Sequence, residues 1–320
     1  MKTLFLLFFT TFIAIRLFAQ PGQKLNLFTQ DIVNFWVAYD SVQSTNDTIK
    51  QERFIQKLYL DKGTLGVQYL TNVVRLSAKE WLTTILKYPK FWKSVKSSTN
   101  AVSSNKADIE NVMYKFSQLY DKFEQPDIYF TIGCLHRGGT VFKNNILMCN
   151  ELATSDKNTD ASELIIFHQE RMKLNINMIF LLAHECVHTQ QNQSIDSNVN
   201  LLSRCIKEGS ADFIAEILTK QAPPTAYISY GFIHEKEIWK DFKLDMYGKN
   251  FNKWLLNGRT LKSGIADLGY FMGYAICQSY YNNSKDKQKA VQEIVDIDYS
   301  NNQKVEQFLI KSKYQYKWKK

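Results

Sequence analysis

Residues 181–191 read Leu-Leu-Ala-His184-Glu185-Cys-Val-His188-Thr-Gln-Gln. Residues four apart lie above one another on a helix, so His184 and His188 project from the same face. Two imidazoles in this position can bind one Zn²⁺ ion. Glu185 stands one step round the helix, where a carboxylate can take a proton from a water molecule beside the metal. Because an apolar run (178–183) precedes the motif, the pattern predicts a buried helix that carries a metal site.

A zinc enzyme of this type needs a third protein ligand, and Glu208 is the candidate. It follows His188 by twenty residues, which leaves room for a turn and an antiparallel helix that returns to the metal. Asp212 is one helical turn further on the same face, where it can accept the free N–H of a ligand histidine. We therefore predict one Zn²⁺ per chain, with His184, His188 and Glu208 as ligands and Asp212 behind them.

The flanking sequence predicts an α+β fold that is mostly α-helical, with a small sheet before the metal-site helix. Apolar periodicity predicts a series of helices from Leu27 to about Phe123 and further helices over 173–191, 201–220, 262–283 and 301–311. Two β-rich runs, Ile128–Ile132 and Val141–Met148, stand on either side of Arg137-Gly138-Gly139-Thr140. This arrangement predicts a strand pair around the Gly-Gly turn.

Local signals refine the N-terminal helices. Ser77, shortly before Lys79-Glu80-Trp81, is typical of a helix start. Pro89 is expected to end or kink this helix beyond Leu86. Ile109 begins an apolar stripe with a period of 3.6 that runs to Phe123. The Ser- and Asn-rich segment Ser97–Asn105 favours a loop.

The first residues have the pattern of a secretory signal. Lys2 is followed by the apolar run Leu4–Ile15 and by Leu17-Phe18-Ala19, so we predict a signal peptide over residues 1–19. We divide the remainder into an N-terminal helical region, 20–125, and a core that contains the metal motif, 126–320, and we expect the two to pack as one unit. From the signal peptide we expect export, to the periplasm or out of the cell. We expect no stable membrane span, because no other window has eighteen uninterrupted apolar residues.

Composition excludes several classes of protein. With 45% hydrophobic and 22% charged residues over 320 positions, the chain is neither disordered nor of low complexity. The net charge of +9 is spread thinly along the chain, so we expect no nucleic-acid partner. Five cysteines are too few and scattered for a disulfide framework, and burial as small apolar side chains is the favoured interpretation. Disulfide pairing and oligomeric state stay open.

The metal motif carries a resemblance to a known group. His184-Glu185-x-x-His188 followed at this spacing by Glu208-x-x-x-Asp212 resembles the gluzincin clan of metallopeptidases, the thermolysin-like group. Four further motifs extend it: Tyr59-Leu-x-x-Gly63-Thr64-x-Gly66, Gly138-Gly139-Thr140, Glu208-Gly-Ser-Ala-Asp-Phe and Gly269-Tyr270-Phe-Met-Gly273-Tyr274. Together they resemble a bacterial family of exported predicted zinc-dependent proteases related to the gliding-motility lipoprotein B group. The chain departs from the lipoprotein branch because it lacks the lipid-attachment cysteine.

The resemblance implies metal-assisted peptide hydrolysis on a gluzincin-like helical core, with Glu185 as general base. The oxyanion that develops in this reaction needs a donor besides the metal. Tyr274 is our first candidate, then Tyr270, which lies four residues away on one face of a predicted helix, and His234 is third. Core packing of both tyrosines is the alternative. The Gly138-Gly139-Thr140 hairpin is a candidate edge strand along which an extended substrate could pair.

Two other interpretations keep the metal without the chemistry. Cys205, one turn before Glu208, could close the site with a fourth protein ligand, as in structural zinc sites. The chain could also be a non-catalytic zinc-binding envelope protein, an assembly or motility factor on the same scaffold. Replacing Glu185 with Gln separates enzyme from binding protein, because turnover needs this carboxylate and metal binding does not.

Overall fold

The computed structural model describes residues 24–174, 177–192, 198–261 and 264–318. The predicted signal peptide, residues 1–19, lies outside the described residues. Within the described part of the chain, none of the helices has the length and apolar character needed to span a bilayer.

Helices dominate the structure, and a small sheet stands before the helix with the metal motif, so the predicted α+β, mostly helical fold is confirmed. The helices are α1 Gln30–Gln43, α2 Thr48–Phe54, α3 Leu65–Val74, α4 Ala78–Lys87, α5 Pro89–Asn100, α6 Lys106–Leu119, α7 Asn150–Ala153, α8 Ile166–Lys173, α9 Met178–Gln190, α10 Leu201–Thr219, α11 Ala226–Ile233, α12 Glu235–Asp245, α13 Leu268–Asn283, α14 Lys287–Val295 and α15 Asn302–Ser312. The strands are β1 Leu27–Phe28, β2 Asp127–Thr131, β3 Gly139–Phe142 and β4 Asn145–Cys149.

The sheet differs from the predicted strand pair. Its order is β1-β2-β4-β3, with β1 and β4 parallel to β2 and only β3 antiparallel to β4. The tight turn lies at Lys143-Asn144, inside the run that was predicted as one strand, and Lys143 takes a left-handed φ of 54° there. The turn is therefore not at the glycines. Gly139 begins the edge strand β3 instead, which brings this strand over the metal-site helix.

The N-terminal helices follow most of their local signals. Ser77 starts α4 with a capping box to Glu80, and Pro89 is the first residue of α5. The prediction of a loop from Ser97 is wrong, because α5 continues to Asn100 and a 3₁₀ helix follows it. The buried Thr99 hydroxyl accepts a hydrogen bond from the Trp36 indole at 3.0 Å, a tertiary contact that favours helix over the local loop preference.

Tyr59 joins the N-terminal helices to the sheet. It lies in a π-helical segment, Ile55–Leu60, and its buried hydroxyl donates to the Ile132 carbonyl at 2.8 Å and accepts from the Ile132 amide at 3.0 Å. The Trp81 indole donates to the same carbonyl at 3.1 Å. These bonds anchor the end of β2 to the helices, while the division of the chain at residue 125 stays a prediction.

Helices α9, α10 and α13 form the centre of the molecule. α10 runs antiparallel to α9, because Glu208 lies opposite His188 and Asp212 lies opposite His184. On its other side α10 meets α13 so closely that a Cβ atom added to Gly209 would lie 2.0 Å from the Tyr274 amide nitrogen. Glycine is required here because any side chain would separate the two backbones.

All five cysteines are buried and none forms a disulfide. Burial raises the pKa of the Cys186 and Cys205 thiols, which keeps them protonated. They act as small apolar side chains, as the sequence favours.

Candidate metal centre

The metal-site helix α9 is buried along the part that carries the motif. The side chain of Asn177 accepts a hydrogen bond from the Ile179 amide and so caps its first turn. His184, Glu185 and His188 are each less than a tenth exposed. Their side chains meet the start of β3 on one side and α10 on the other.

The two histidines and Glu208 converge on one point. The Nε2 atoms of His184 and His188 are 3.1 Å apart. A carboxylate oxygen of Glu208 lies 3.3 Å from Nε2 of His188 and 3.8 Å from Nε2 of His184. The structure thus brings together the three ligands that the sequence predicts, with all ligand atoms within 4.8 Å of one another.

Asp212 lies behind His184, where the sequence places it. Its carboxylate is 2.8 Å from Nδ1 of His184, and its second oxygen accepts a hydrogen bond from the Tyr227 hydroxyl at 2.7 Å. With Nδ1–H donating to Asp212, Nε2 of His184 presents its lone pair to the centre. Tyr227, which the sequence analysis did not identify, fixes the carboxylate in this position.

His188 has an equivalent partner, Gln191, that the sequence analysis missed. The Gln191 side-chain oxygen is 2.7 Å from Nδ1 of His188. Its amide nitrogen donates to the Ser210 hydroxyl at 2.8 Å and to the Lys207 carbonyl at 3.1 Å, which fixes the orientation of the amide group. Nδ1 of His188 is therefore the protonated nitrogen. The available signal was the position of Gln191, three residues after His188 at the helix end.

Charges within the centre shift the pKa values of its members. Burial disfavours ionisation of Glu208, but the charge and hydrogen bond of His188 and the charge of His184 outweigh it and lower the pKa of this carboxyl to about 2. Burial also disfavours protonation of His184, but Asp212 raises the pKa of this imidazole to about 9. The Glu208 carboxylate is therefore stabilised in its charged form by the two histidines.

Glu185 lies beside the centre and not within it. Burial raises the pKa of its carboxyl group, and the charges of His184 and His188 oppose this shift. No described residue donates a hydrogen bond to this carboxylate. A Cβ atom added to Gly139 would lie 2.8 Å from one of its oxygens, so the start of β3 crosses directly above it.

The two candidate tyrosines on α13 have different surroundings. The Tyr274 hydroxyl donates to Glu216 at 2.6 Å, eight residues beyond Glu208 on α10. Tyr270 stacks on Tyr227 with ring centroids 5.6 Å apart, and burial and the charge of Glu208 raise its pKa. Tyr270 therefore adjoins the carboxylate behind His184 through Tyr227, whereas the Tyr274 hydroxyl is bonded to Glu216.

His234 and Cys205 make other contacts. Nδ1 of His234 is 3.0 Å from the Tyr230 carbonyl, and its ring stacks on Tyr230. The Cys205 sulfur packs against Gly269 at the crossing of α10 with α13. The three-membered cluster found among the described residues does not include this thiol.

The donor set fits a zinc ion. Two imidazole nitrogens and one carboxylate oxygen are a typical set for a catalytic zinc site, which keeps its fourth position open. Bonds of about 2.0–2.1 Å in a tetrahedron place neighbouring ligand atoms about 3.3–3.4 Å apart. The observed separations of 3.1, 3.3 and 3.8 Å lie around this value. The two Nε2 atoms and the Glu208 carboxylate oxygen are thus close enough to share one cation.

Comparison with known proteins gives one match. A family model described as predicted Zn-dependent protease (DUF2268) matches residues 110–301, which is more than half of the chain and includes every member of the centre. No curated protein and no solved structure matches the chain.

Proposed function

Because this chain belongs to the DUF2268 family of predicted Zn-dependent proteases, we propose that it is an exported zinc metallopeptidase that hydrolyses peptide bonds. One observation carries this proposal. The His184, His188 and Glu208 ligand atoms converge beside Glu185, a buried carboxylate with no hydrogen-bond donor among the described residues. The gluzincin-like character of the core and the signal peptide at residues 1–19 belong to the same proposal.

His184, His188 and Glu208 would hold one zinc ion per chain. When bound, zinc lowers the pKa of a water molecule and polarises the substrate carbonyl. Asp212 and Gln191 keep both imidazoles in the orientation and tautomer that metal binding needs, so their role is positioning.

Glu185 is the proposed general base. Its carboxylate takes a proton from the attacking water and then delivers that proton to the nitrogen of the leaving amine. A base with this double task needs a pKa closer to neutrality than that of an exposed glutamate, and burial shifts Glu185 in that direction.

Tyr270 is the proposed donor to the developing oxyanion. Its ring stacks on Tyr227, whose hydroxyl is bonded to Asp212, so the phenol is held next to the ligand set. Its hydroxyl makes no hydrogen bond within the described residues. The Tyr274 hydroxyl, in contrast, is already bonded to Glu216.

The free edge of β3 is the proposed guide for the substrate backbone. The Cys149 amide donates to the Gly138 carbonyl, so hydrogen-bonded pairs alternate along β3 and β4 from that point. This alternation leaves the backbone groups of Gly139 and Val141 facing away from β4. An extended peptide that pairs there would pass over Glu185.

The decisive experiment is mass-spectrometric analysis of a mixed peptide library after incubation with the zinc-loaded protein, beside a zinc-loaded Glu185→Gln variant. Metal content is measured for both proteins. We expect cuts with the wild type only, and one zinc per chain in each protein. Cuts that persist in the variant would contradict the role of Glu185. A fully zinc-loaded wild type that leaves the library intact would favour a binding protein.

A further inference from the structure

Arg171 is a charged side chain near the centre that the proposed mechanism does not use. It lies on α8, and a Cβ atom added to Gly138 would be 2.7 Å from its terminal nitrogen Nη2. Its Nε atom is buried without a hydrogen-bond partner. Within the described ranges, no hydrogen bond or ion pair involves this guanidinium.

The acidic groups nearest to Arg171 are already bonded elsewhere. Asp267 accepts a hydrogen bond from the Asn257 amide at 3.0 Å. Glu151 accepts from the amides of Gly133 and Leu135 at 2.9 and 2.8 Å. Both carboxylates interact with Arg171 only at longer range. Arg171 is partly buried, so its guanidinium has lost part of its hydration and has gained no hydrogen-bonded anion among the described residues.

A second arginine, Arg259, lies near Arg171. Arg259 donates to the carbonyls of Leu135 and His136 at 2.6 and 3.1 Å, so it fixes the chain that passes Arg171. Burial, and then the charges of Arg259 and Arg171, lower the pKa of His168 to about 4. The acids that face this region are Asp267, Glu151 and Glu185, none of which is ion-paired there.

The distance from Arg171 to the proposed base Glu185 can be measured along α9, because Arg171 lies close to Leu181 of that helix. Gly138 touches Arg171 and Leu181, while its neighbour Gly139 touches Glu185. Leu181 and Glu185 are one turn apart, which is about 6 Å along the helix. An extended peptide advances about 3.3 Å per residue, so this distance corresponds to about two residues of substrate.

We propose that Arg171 is a specificity-determining residue that binds a carboxylate of the peptide substrate, about two residues from the bond that is cut. This inference rests on the proposed peptidase function and deepens it. An arginine fork binds a carboxylate through two parallel hydrogen bonds, and partial burial of the site strengthens them. The carboxylate comes either from the substrate C-terminus or from an Asp or Glu side chain, and the chemistry of recognition is the same.

The test is affinity selection from a synthetic peptide library in which every peptide exists as free acid and as C-terminal amide, and with Glu or Gln at each position. The zinc-loaded Glu185→Gln protein captures peptides without cutting them. Arg171→Gln is added to this background, and Lys173→Gln is the matched control. Lys173 lies on the same helix and loses the same charge, but its side chain is exposed and paired with Glu170.

We expect the parent protein and the Lys173→Gln control to enrich acids, and Arg171→Gln to lose that enrichment by about 10- to 100-fold. Preference for free C-termini identifies the terminal carboxylate, and preference for Glu over Gln identifies a side chain. No enrichment of either kind, no bound peptide, or enrichment that survives Arg171→Gln overturns the inference. If Arg171→Gln does not fold, the acid-to-amide ratio of the parent protein decides alone. Library cleavage by the wild type reports separately on the peptidase function.

Discussion

Glu151 and Glu185 are both buried and both touch the segment 133–139, but their carboxylates have different surroundings. Glu151 receives two backbone hydrogen bonds, from Gly133 and Leu135. Glu185 receives none from the described residues and lies beside converging metal-ligand atoms. The same residue type is therefore used once to hold a loop and once, on the proposed mechanism, to react.

The difference shows how the two parts of the molecule use buried polar groups. The Tyr59 hydroxyl and both Glu151 carboxyl oxygens are paired with backbone groups of a neighbouring segment, which stabilises the fold. Around Glu185 and Arg171, polar atoms lack protein partners. Unpaired buried groups reduce stability, and on the proposed mechanism the substrate completes the bonding of these two side chains.

The largest expected effect is on kcat and comes from replacing Glu185, the reactive member of the pair Glu151 and Glu185. Glu185→Gln keeps the size of the side chain but removes the base, so kcat should fall by about 10³-fold or more. The measurement is the rate of cleavage of a library-derived peptide, with zinc content determined in parallel. Unchanged kcat at full zinc occupancy would remove Glu185 from the mechanism.

Glu151→Gln is the matched variant at the other glutamate, whose carboxyl group holds the loop at Gly133 and Leu135. An amide offers one acceptor oxygen where the carboxyl group offers two, so one backbone N–H loses its partner. We expect the free energy of unfolding to fall by about 1–2 kcal/mol at pH 5 and kcat/KM to stay within about threefold. Denaturant titration and peptide cleavage measure the two. A large loss of activity with intact stability would contradict the structural role.

The next effect concerns Gly209, the neighbour of Glu208 on α10. Gly209→Ala places a Cβ atom against the backbone of α13, so the helices must separate, and we expect a loss of about 3 kcal/mol in the free energy of unfolding. Gly248→Ala is the control, because its added Cβ atom meets only the Asp245 carbonyl at 3.2 Å. Equal stability of both variants would contradict the close crossing.

The pH dependence of stability should reveal the raised pKa of Glu151. Burial raises the pKa of Glu151 to about 7 from 4.5, so the folded state binds more protons than the unfolded state between these values. Stability from this group is present below pH 4.5 and is lost as pH rises through 7, by up to about 3 kcal/mol. Wild type should lose this stability relative to Glu151→Gln in denaturant titrations between pH 4.5 and 8. Parallel curves would contradict the raised pKa.

The smallest effect is expected at the edge of the sheet. Val141→Pro removes an N–H that faces away from β4, so the sheet should stay intact while KM rises about five- to tenfold for one lost backbone hydrogen bond. Thr140→Pro is the contrasting variant, because its N–H faces β4 and its loss should lower stability. An unchanged KM for Val141→Pro would exclude backbone pairing at β3.

The sequence alone predicted that His184, His188 and Glu208 come together, and it predicted the helices that carry them. His184, His188 and Glu185 follow from helical periodicity, and the spacing from Glu208 to Asp212 is another helical turn. The predicted helices over 201–220 and 301–311 match α10 and α15 within one residue at each end. These features are local, so a pattern of neighbouring residues is enough to determine them.

Tertiary structure alone decided which side chains lie around the His184, His188 and Glu208 group. The Tyr274 hydroxyl bonds to Glu216 and Tyr270 stacks on Tyr227, because α10 and α13 cross at Gly209 and fix the rotation of each helix. The parallel pairing of β1 with β2 and the isolation of Arg171 likewise depend on segments far apart in the chain. No local pattern determines such contacts, because they depend on how complete elements pack against one another.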